Sequence, residues 1–313
     1  MKDYIFHEGT IPSDFILEYE EGIFNLSSFR CRHDPQHWIS FYILNPNRKK
    51  ALGGIHMHID GTVARSPFRA PFGSLEFSTH ITPMLLYDFL VFIEITLLRK
   101  GVTDVFLKNP PHDYAPERLS LLETFLLNES YRIFSAEVTS IIPVSEKIFS
   151  QVIRHSENLR LHQAQNASFN FAQLPPWQLE DVYRFLAGCH REKGYNLSIT
   201  EEDLKSTAME FPDRYLLFAV FLQGKIVAAS ISIRINEKIL YNFLANHERQ
   251  YNALSPMVLL LEGVYKFCRD NHISLMDLGT SASREKPNFK LLDFKMHMGG
   301  VPSSKFTFHK KIS

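Results

Sequence analysis

Short apolar runs closed by turn residues alternate along this chain with longer stretches of helical periodicity, a pattern that predicts a mixed α/β fold. In the first half, residues 38–44 (Trp38 to Leu44) predict a strand ending at Asn45-Pro46-Asn47. Residues 51–59 predict a second, with Ile55, Met57 and Ile59 on one face and Asp60-Gly61 as its hairpin turn. Thr82-Pro83 supplies an N-cap and a first-turn proline for a helix running to about Lys100, where Gly101 stops it. A strand over 102–107, a helix over 117–128 and a strand over 133–143 follow. The second half predicts a helix over 145–165, a strand over 169–174 and a helix over 177–188. Two long strands, 215–222 and 226–235, are joined by Gln223-Gly224-Lys225. An apolar run, 239–245, then meets a polar loop, 246–254. Ser255-Pro256 starts a helix as N-cap and first residue, a strand covers 274–278, and a basic loop extends to Lys295.

The two halves share a plan. A displacement of 173 residues carries Thr82-Pro83-Met84 onto Ser255-Pro256-Met257 and Asp104-Val105 onto Asp277-Leu278. A displacement of 176 carries Ile55, Met57 and Ile59 onto Ile231, Ile233 and Ile235. Such self-similarity predicts two related α/β domains in tandem, each a mixed sheet flanked by helices. The expected division is residues 1–144, a connecting helix and strand over 145–176, and residues 177–313.

Composition narrows the function classes. A chain of 313 residues, 45% hydrophobic and 22% charged, is long enough for two packed cores. Thirty-four Lys and Arg balance 34 Asp and Glu, so no net field draws nucleic acid or an anionic membrane. Three dispersed cysteines without CxxC spacing give neither a disulfide framework nor a zinc knuckle. The first residues lack a signal-peptide core, and the longest apolar stretch, 84–98, is short for a bilayer and broken by Asp88 and Glu94. A cytoplasmic protein without a membrane partner is expected. His56 and His58 lie two apart on a strand, but no third ligand is spaced beside them, so no metal is expected.

Chemistry concentrates in the second half. The backbone N–H groups of Asn252, Ala253, Leu254 and Ser255, at a helix start, suit a pyrophosphate, with Arg249 adding charge. An ordinary capped loop would look the same. Lys286, Lys290 and Lys295, with Arg284 nearby, suit an anionic substrate, and Arg154 and Arg160 on the helix expected over 145–165 are candidates for the same cleft. A solvated loop and an exposed helix are the plainer readings.

The residues 154–167, the run His190-Arg191-Glu192-Lys193-Gly194-Tyr195-Asn196, the strand pair around Gln223-Gly224-Lys225, Ser255-Pro256, Asp277-Leu278-Gly279 and Phe294-Lys295 with Gly299-Gly300 come in a familiar order. Together they resemble the tandem-GNAT proteins of the FemAB and BioF2-like acetyltransferase group. The resemblance covers residues 145–300 best and the first half through the repeat. It implies two GNAT-like domains and transfer of an acyl or aminoacyl group to an amine, with a thioester or aminoacyl-tRNA donor. One departure stands out: where GNAT enzymes carry a glycine-bearing pyrophosphate loop, Arg249 to Ser255 has no glycine. Glycines let backbone amides approach phosphates closely, so their absence weighs against coenzyme A.

On this resemblance the expected activity is an N-acyltransferase taking acetyl-CoA or another acyl-CoA, with a small-molecule or peptide amine as acceptor. The amine must lose a proton to attack, which makes His247 and Glu248 candidate bases, and Tyr241 is a candidate acid for the leaving thiolate. Asp277, a lone carboxylate in an apolar strand, joins Lys290 and Lys295 as a candidate substrate contact, although its counterpart Asp104 favours a backbone bond instead. The first repeat lacks a comparable basic loop before Thr82. The alternatives are an aminoacyl-tRNA-dependent peptidyltransferase, against which the balanced charge argues, and a catalytically silent GNAT-fold binding module.

Overall fold

The structure is a computed structural model that describes residues 4–194, 197–283 and 286–312. Met1 to Asp3, Tyr195, Asn196 and Arg284, named in the sequence argument, lie outside the described residues. The chain forms two compact units: Met1–Glu137 with Ser303–Ser313, and Val138–Pro302.

In the first unit, Ile5–Glu8, Trp38–Asn45, Lys50–Asp60, Val63–Ser66, Asp104–Lys108 and Val301–Lys311 pair in that spatial order. All neighbours are antiparallel except Val63–Ser66 and Asp104–Lys108, which run parallel. The helices Pro83–Arg99 and Pro116–Asn128 bury Phe89, Leu97 and Leu122 in the same core as Phe41, Ile55 and Met57 of the sheet. Thr82 caps as expected, its hydroxyl accepting from Leu85 N at 3.3 Å.

The second unit repeats this arrangement. From Val138 onward, Arg132–Pro143 lies beside Leu275–Thr280, followed by Ile239–His247, Lys225–Asn236, Tyr215–Leu222 and Asn170–Leu174. Again one pair is parallel, Ile239–His247 with Leu275–Thr280, and the helix Pro256–Asp270 connects its two strands. A parallel pair needs a crossover, which Pro83–Arg99 supplies in one unit and Pro256–Asp270 in the other. Ile231 and Ile233 occupy the places of Ile55 and Met57, all at most 1% exposed.

Several boundaries differ from the sequence pattern. Residues 145–154 are not helical throughout: a 3-10 turn, Phe149–Gln151, precedes the helix His155–Asn166, because Phe149 and Ile153 turn into the core. The helix Leu179–Glu192 starts later and runs further than 177–188, taking in His190, and an additional helix, Glu201–Glu210, is capped by Thr200. The basic loop is partly helical, Phe289–His297, and carries Lys290 and Lys295. The segment 145–176 lies within the second unit, whereas residues from Ser303 onward, grouped by pattern with the second half, lie in the first. Their strand pairs Thr307 with Lys108 and Lys311 with Asp104 and buries Phe308.

Candidate active site

The strands Ile239–His247 and Leu275–Thr280 pair only from Ile239 with Leu275 to Tyr241 with Asp277. One cause of their parting lies on the other edge. Ile231 pairs with Leu244 and Ser232 with Asn242, so Phe243 is the extra residue of a β-bulge. A bulge bends its strand and raises the local twist. Beyond that point a cleft of about 690 Å³ opens within the second unit. Asn242 to His247 form one wall, Leu278 to Thr280 face them, and Leu261, Val258 and Phe294 supply apolar lining.

Residues 249–254 form a 3-10 turn that runs directly into Pro256–Asp270. Ser255 is left-handed (φ 53°, ψ 46°) and makes no side-chain cap, contrary to the expected N-cap. Backbone bonds hold the entry instead, Ser255 N to Asn252 O at 3.2 Å and Val258 N to Ser255 O at 3.0 Å. Asn252, Ala253 and Ser255 all line the cleft, so the positive end of a fifteen-residue helix faces it.

Two histidines line the cleft with nitrogens that have no partner among the described residues. His247 Nε2 donates to Asn252 Oδ1 at 2.6 Å, an assignment set by the amide oxygen, which leaves Nδ1 as the lone-pair nitrogen, buried and unpaired. Burial and, secondarily, the Lys193 charge lower its pKa against the Asn252 bond, so the ring is neutral near pH 7. His190, on the helix Leu179–Glu192, has an unpartnered buried Nε2, and burial followed by the Lys193 charge lowers its pKa too. Lys193 donates to Asn246 Oδ1 at 2.5 Å, and burial lowers its pKa.

Lys295 is a cleft residue of a different kind. The residue is 8% exposed, and its ammonium donates to Gly279 O at 2.9 Å and Thr280 O at 2.8 Å. Burial pushes its pKa down to about 8, with the Asp277 carboxylate acting the other way. Asp277 in turn accepts from Gly279 N at 2.7 Å, a bond that helps hold Gly279 at φ +75°. The Tyr241 ring lies over that glycine, its Cε2 3.4 Å from where a Cβ would sit. The turn 277–280 is thus fixed from both sides.

The cleft therefore brings together Tyr241, His247, Asn252, Ala253, Ser255 and Lys295. Glu248, Arg249, Leu254, Asp277 and Lys290 are not among its lining residues; Arg249 and Lys290 are exposed, and Glu248 accepts from Gln250 at 2.6 Å. Arg160 reaches the cleft, engaged by Glu157 at 3.1 Å and 3.2 Å, whereas Arg154 binds His297 at 3.0 Å. His190 and Lys193 were not expected there. The apolar stripe Leu179, Val182, Leu186 and Cys189 turns the helix onto the sheet, and His190 adjoins that stripe, which is the signal that marks it.

Residues 158–290 match the family model of the acetyltransferase (GNAT) domain. Among solved structures, FemX superposes with a TM-score of 0.70 at 10% identity, covering 92% of each chain. L-PGS from Bacillus licheniformis gives 0.55 at 14% identity over 84% of this chain and 82% of its own. A tandem GNAT protein from the clavulanic acid biosynthesis pathway gives 0.52 at 10% identity, over 92% and 87%. A search of curated proteins returned no match. No helix among the described residues is long and apolar enough to cross a membrane. Residues 158–290 thus carry the match to an acetyltransferase (GNAT) domain, and in fold the chain is similar to FemX and to a tandem GNAT protein.

Proposed function

We propose that the second unit is an N-acyltransferase in which an acyl-CoA thioester occupies the cleft and an amine attacks it directly. The observation that carries this reading is the convergence, where two parallel strands part, of a helix N-terminus and two neutral, unpaired imidazole nitrogens. The helix start at Asn252, Ala253 and Ser255 receives the donor's phosphates, with Lys193 and Arg249 adding charge and Leu254 shaping the turn. Without glycine in this loop, side chains stand between backbone and phosphate, so coenzyme A binding weaker than in glycine-bearing sites is expected.

The acceptor's ammonium loses a proton to His247 Nδ1 or His190 Nε2, directly or through one water, and Glu248 is available beyond them to take it onward. The N–C bond then forms. Phe243, outside the ladder at the bulge, offers backbone N–H to the developing oxyanion. The C–S bond breaks, Tyr241 protonates the thiolate, and the second proton that the nitrogen sheds as the amide forms returns to the tyrosine through water. Lys290, Lys295 and Asp277 act on the acceptor side, the last two by holding the turn 277–280.

Titration calorimetry with acetyl-CoA and longer acyl-CoAs, and with aminoacyl-tRNA, tests the donor. Saturable binding of a thioester supports the proposal; binding of aminoacyl-tRNA alone would transfer the same cleft to the peptidyltransferase alternative; binding of neither would leave a silent module. For an active thioester-dependent enzyme, His247→Ala or His190→Ala lowers kcat by about 10²–10⁴, according to which is the base. Because burial lowers both pKa values, the acid limb of kcat/KM should fall below the usual histidine range, near 6.5.

A further inference from the structure

In the first unit, the segment between the helix Ser27–Cys31 and the strand Trp38–Asn45 places two side chains against a third on Lys50–Asp60. Asp34 Oδ1 accepts from His37 Nδ1 at 2.6 Å and Asp34 Oδ2 from His58 Nε2 at 3.0 Å. We propose that Asp34, His37 and His58 form a binding site for a divalent transition-metal ion of the zinc type. His56 does not belong to it, being held between Ser40 at 2.8 Å and Glu21 at 2.9 Å.

The donor set is right for such an ion: two imidazoles and one carboxylate suit Zn²⁺, and the fourth position is left to water. The geometry is close to the requirement. One ligand atom from each residue lies within 4.8 Å of the others. Tetrahedral bonds of about 2.1 Å put ligand atoms about 3.4 Å apart. Asp34 offers a different oxygen to each histidine, 2.6 Å from His37 Nδ1 and 3.0 Å from His58 Nε2, so these pairs must open slightly as one oxygen turns to the ion. His37 and Asp34, with side chains 58% and 44% exposed, have the freedom to do so.

The third ligand is fixed independently. His58 is 2% exposed, its ring stacks on Phe68 with centroids 3.8 Å apart and 5° between planes, and Trp38 meets it edge-on at 5.4 Å. These contacts aim Nε2 at Asp34, while Nδ1 is buried without a partner, so the ring's polar contact is on the edge facing the cluster. On binding, each neutral imidazole presents a lone pair to the ion and carries its proton on the other nitrogen. At His58 this exchanges one unpaired buried lone pair for one unpaired buried N–H, groups of similar cost. The ion would tie residues 34–37 to the sheet.

The test is Zn²⁺ titration of chelator-treated full-length protein by calorimetry, with Co²⁺ absorption as a geometric probe, on wild type, His37→Ala and Asp34→Asn. The His37 side chain is 58% exposed, so metal-free His37→Ala should unfold at the wild-type temperature, while Asp34→Asn keeps an amide oxygen to accept from His58 Nε2 and serves as the second variant. One equivalent of Zn²⁺, a tetrahedral Co²⁺ spectrum and a loss of affinity of about tenfold or more in each variant are expected. No stoichiometric uptake by wild type would overturn the proposal, as would equal uptake by both variants, which would assign the ion to others of the chain's 14 histidines.

Discussion

Lys295 shows how a residue's environment redirects its chemistry. Pattern and family resemblance mark it as a cation for substrate, yet two of its donors hold the carbonyls of Gly279 and Thr280. Its pKa is lowered from 10.5 to about 8 in the folded chain. Between those values the unfolded state binds more protons than the folded one, so this residue's contribution makes stability rise with pH across that window. Urea unfolding of wild type and Lys295→Met between pH 7 and 10 should therefore diverge, the wild type gaining on the variant as pH rises. The variant also leaves two carbonyls without their donor, about 1–3 kcal/mol each. Parallel pH profiles would show that the ammonium is not buried as described. Tyr241, His247, Asn252, Ala253 and Ser255 could be picked out as candidates because they flank a strand end and a helix start in sequence, and all five line the cleft. His190 was not picked out, because the apolar stripe beside it shows which face of the helix is buried but not that this face packs next to the cleft.

At the scale of elements, the helix Pro256–Asp270 is held against Asn170–Leu174 at Gly263. A Cβ there would lie 2.3 Å from the Phe171 ring, which is itself stacked on Phe218 with centroids 5.9 Å apart. Alanine favours a helix over glycine by about 1 kcal/mol, and overpacking opposes it by about 1–3 kcal/mol. The clash should win, so Gly263→Ala is expected to lower the urea midpoint. Gly188→Ala, in a helix where a Cβ meets nothing within 4 Å, should raise it. If both substitutions stabilise alike, the close helix–strand contact is absent. The elements themselves were largely readable: strands 215–222 and 226–235 stand where periodicity puts them, and the two helices start where the Thr82 cap and the first-turn proline Pro256 put them. The Phe243 bulge was not, since it exists only as a mismatch between two strands' registers.

For the whole molecule, the notable feature is that each half's last strand contributes to the unit built mainly by the other half. From Val138, the strand Arg132–Pro143 belongs with the second unit, and from Ser303, Val301–Lys311 belongs with the first. There Phe308 and Ile312 enter the core and His309 binds Asp104 at 2.8 Å. Removing residues 303–313 should expose the edge of Asp104–Lys108 and delete a fully buried phenylalanine, whose loss alone costs about 3–5 kcal/mol. Hydrogen exchange should report lost protection in Lys50–Asp60 and Pro83–Arg99. Protection retained there in the truncated chain would contradict the assignment of the last strand to the first unit.

The sequence by itself determined what is local: alternating periodicities, caps and turns, the internal repeat, and through them the class of fold and a candidate site at a strand end and helix start. Tertiary structure alone decided what depends on residues far apart in the chain. It chose where the parallel strands part, which histidine nitrogens are buried without partners, that Lys295 serves a turn, and that Asp34 and His37 meet His58. Periodicity records which side of an element is buried, whereas pairing register and the partner across the sheet are settled only when separate segments pack together.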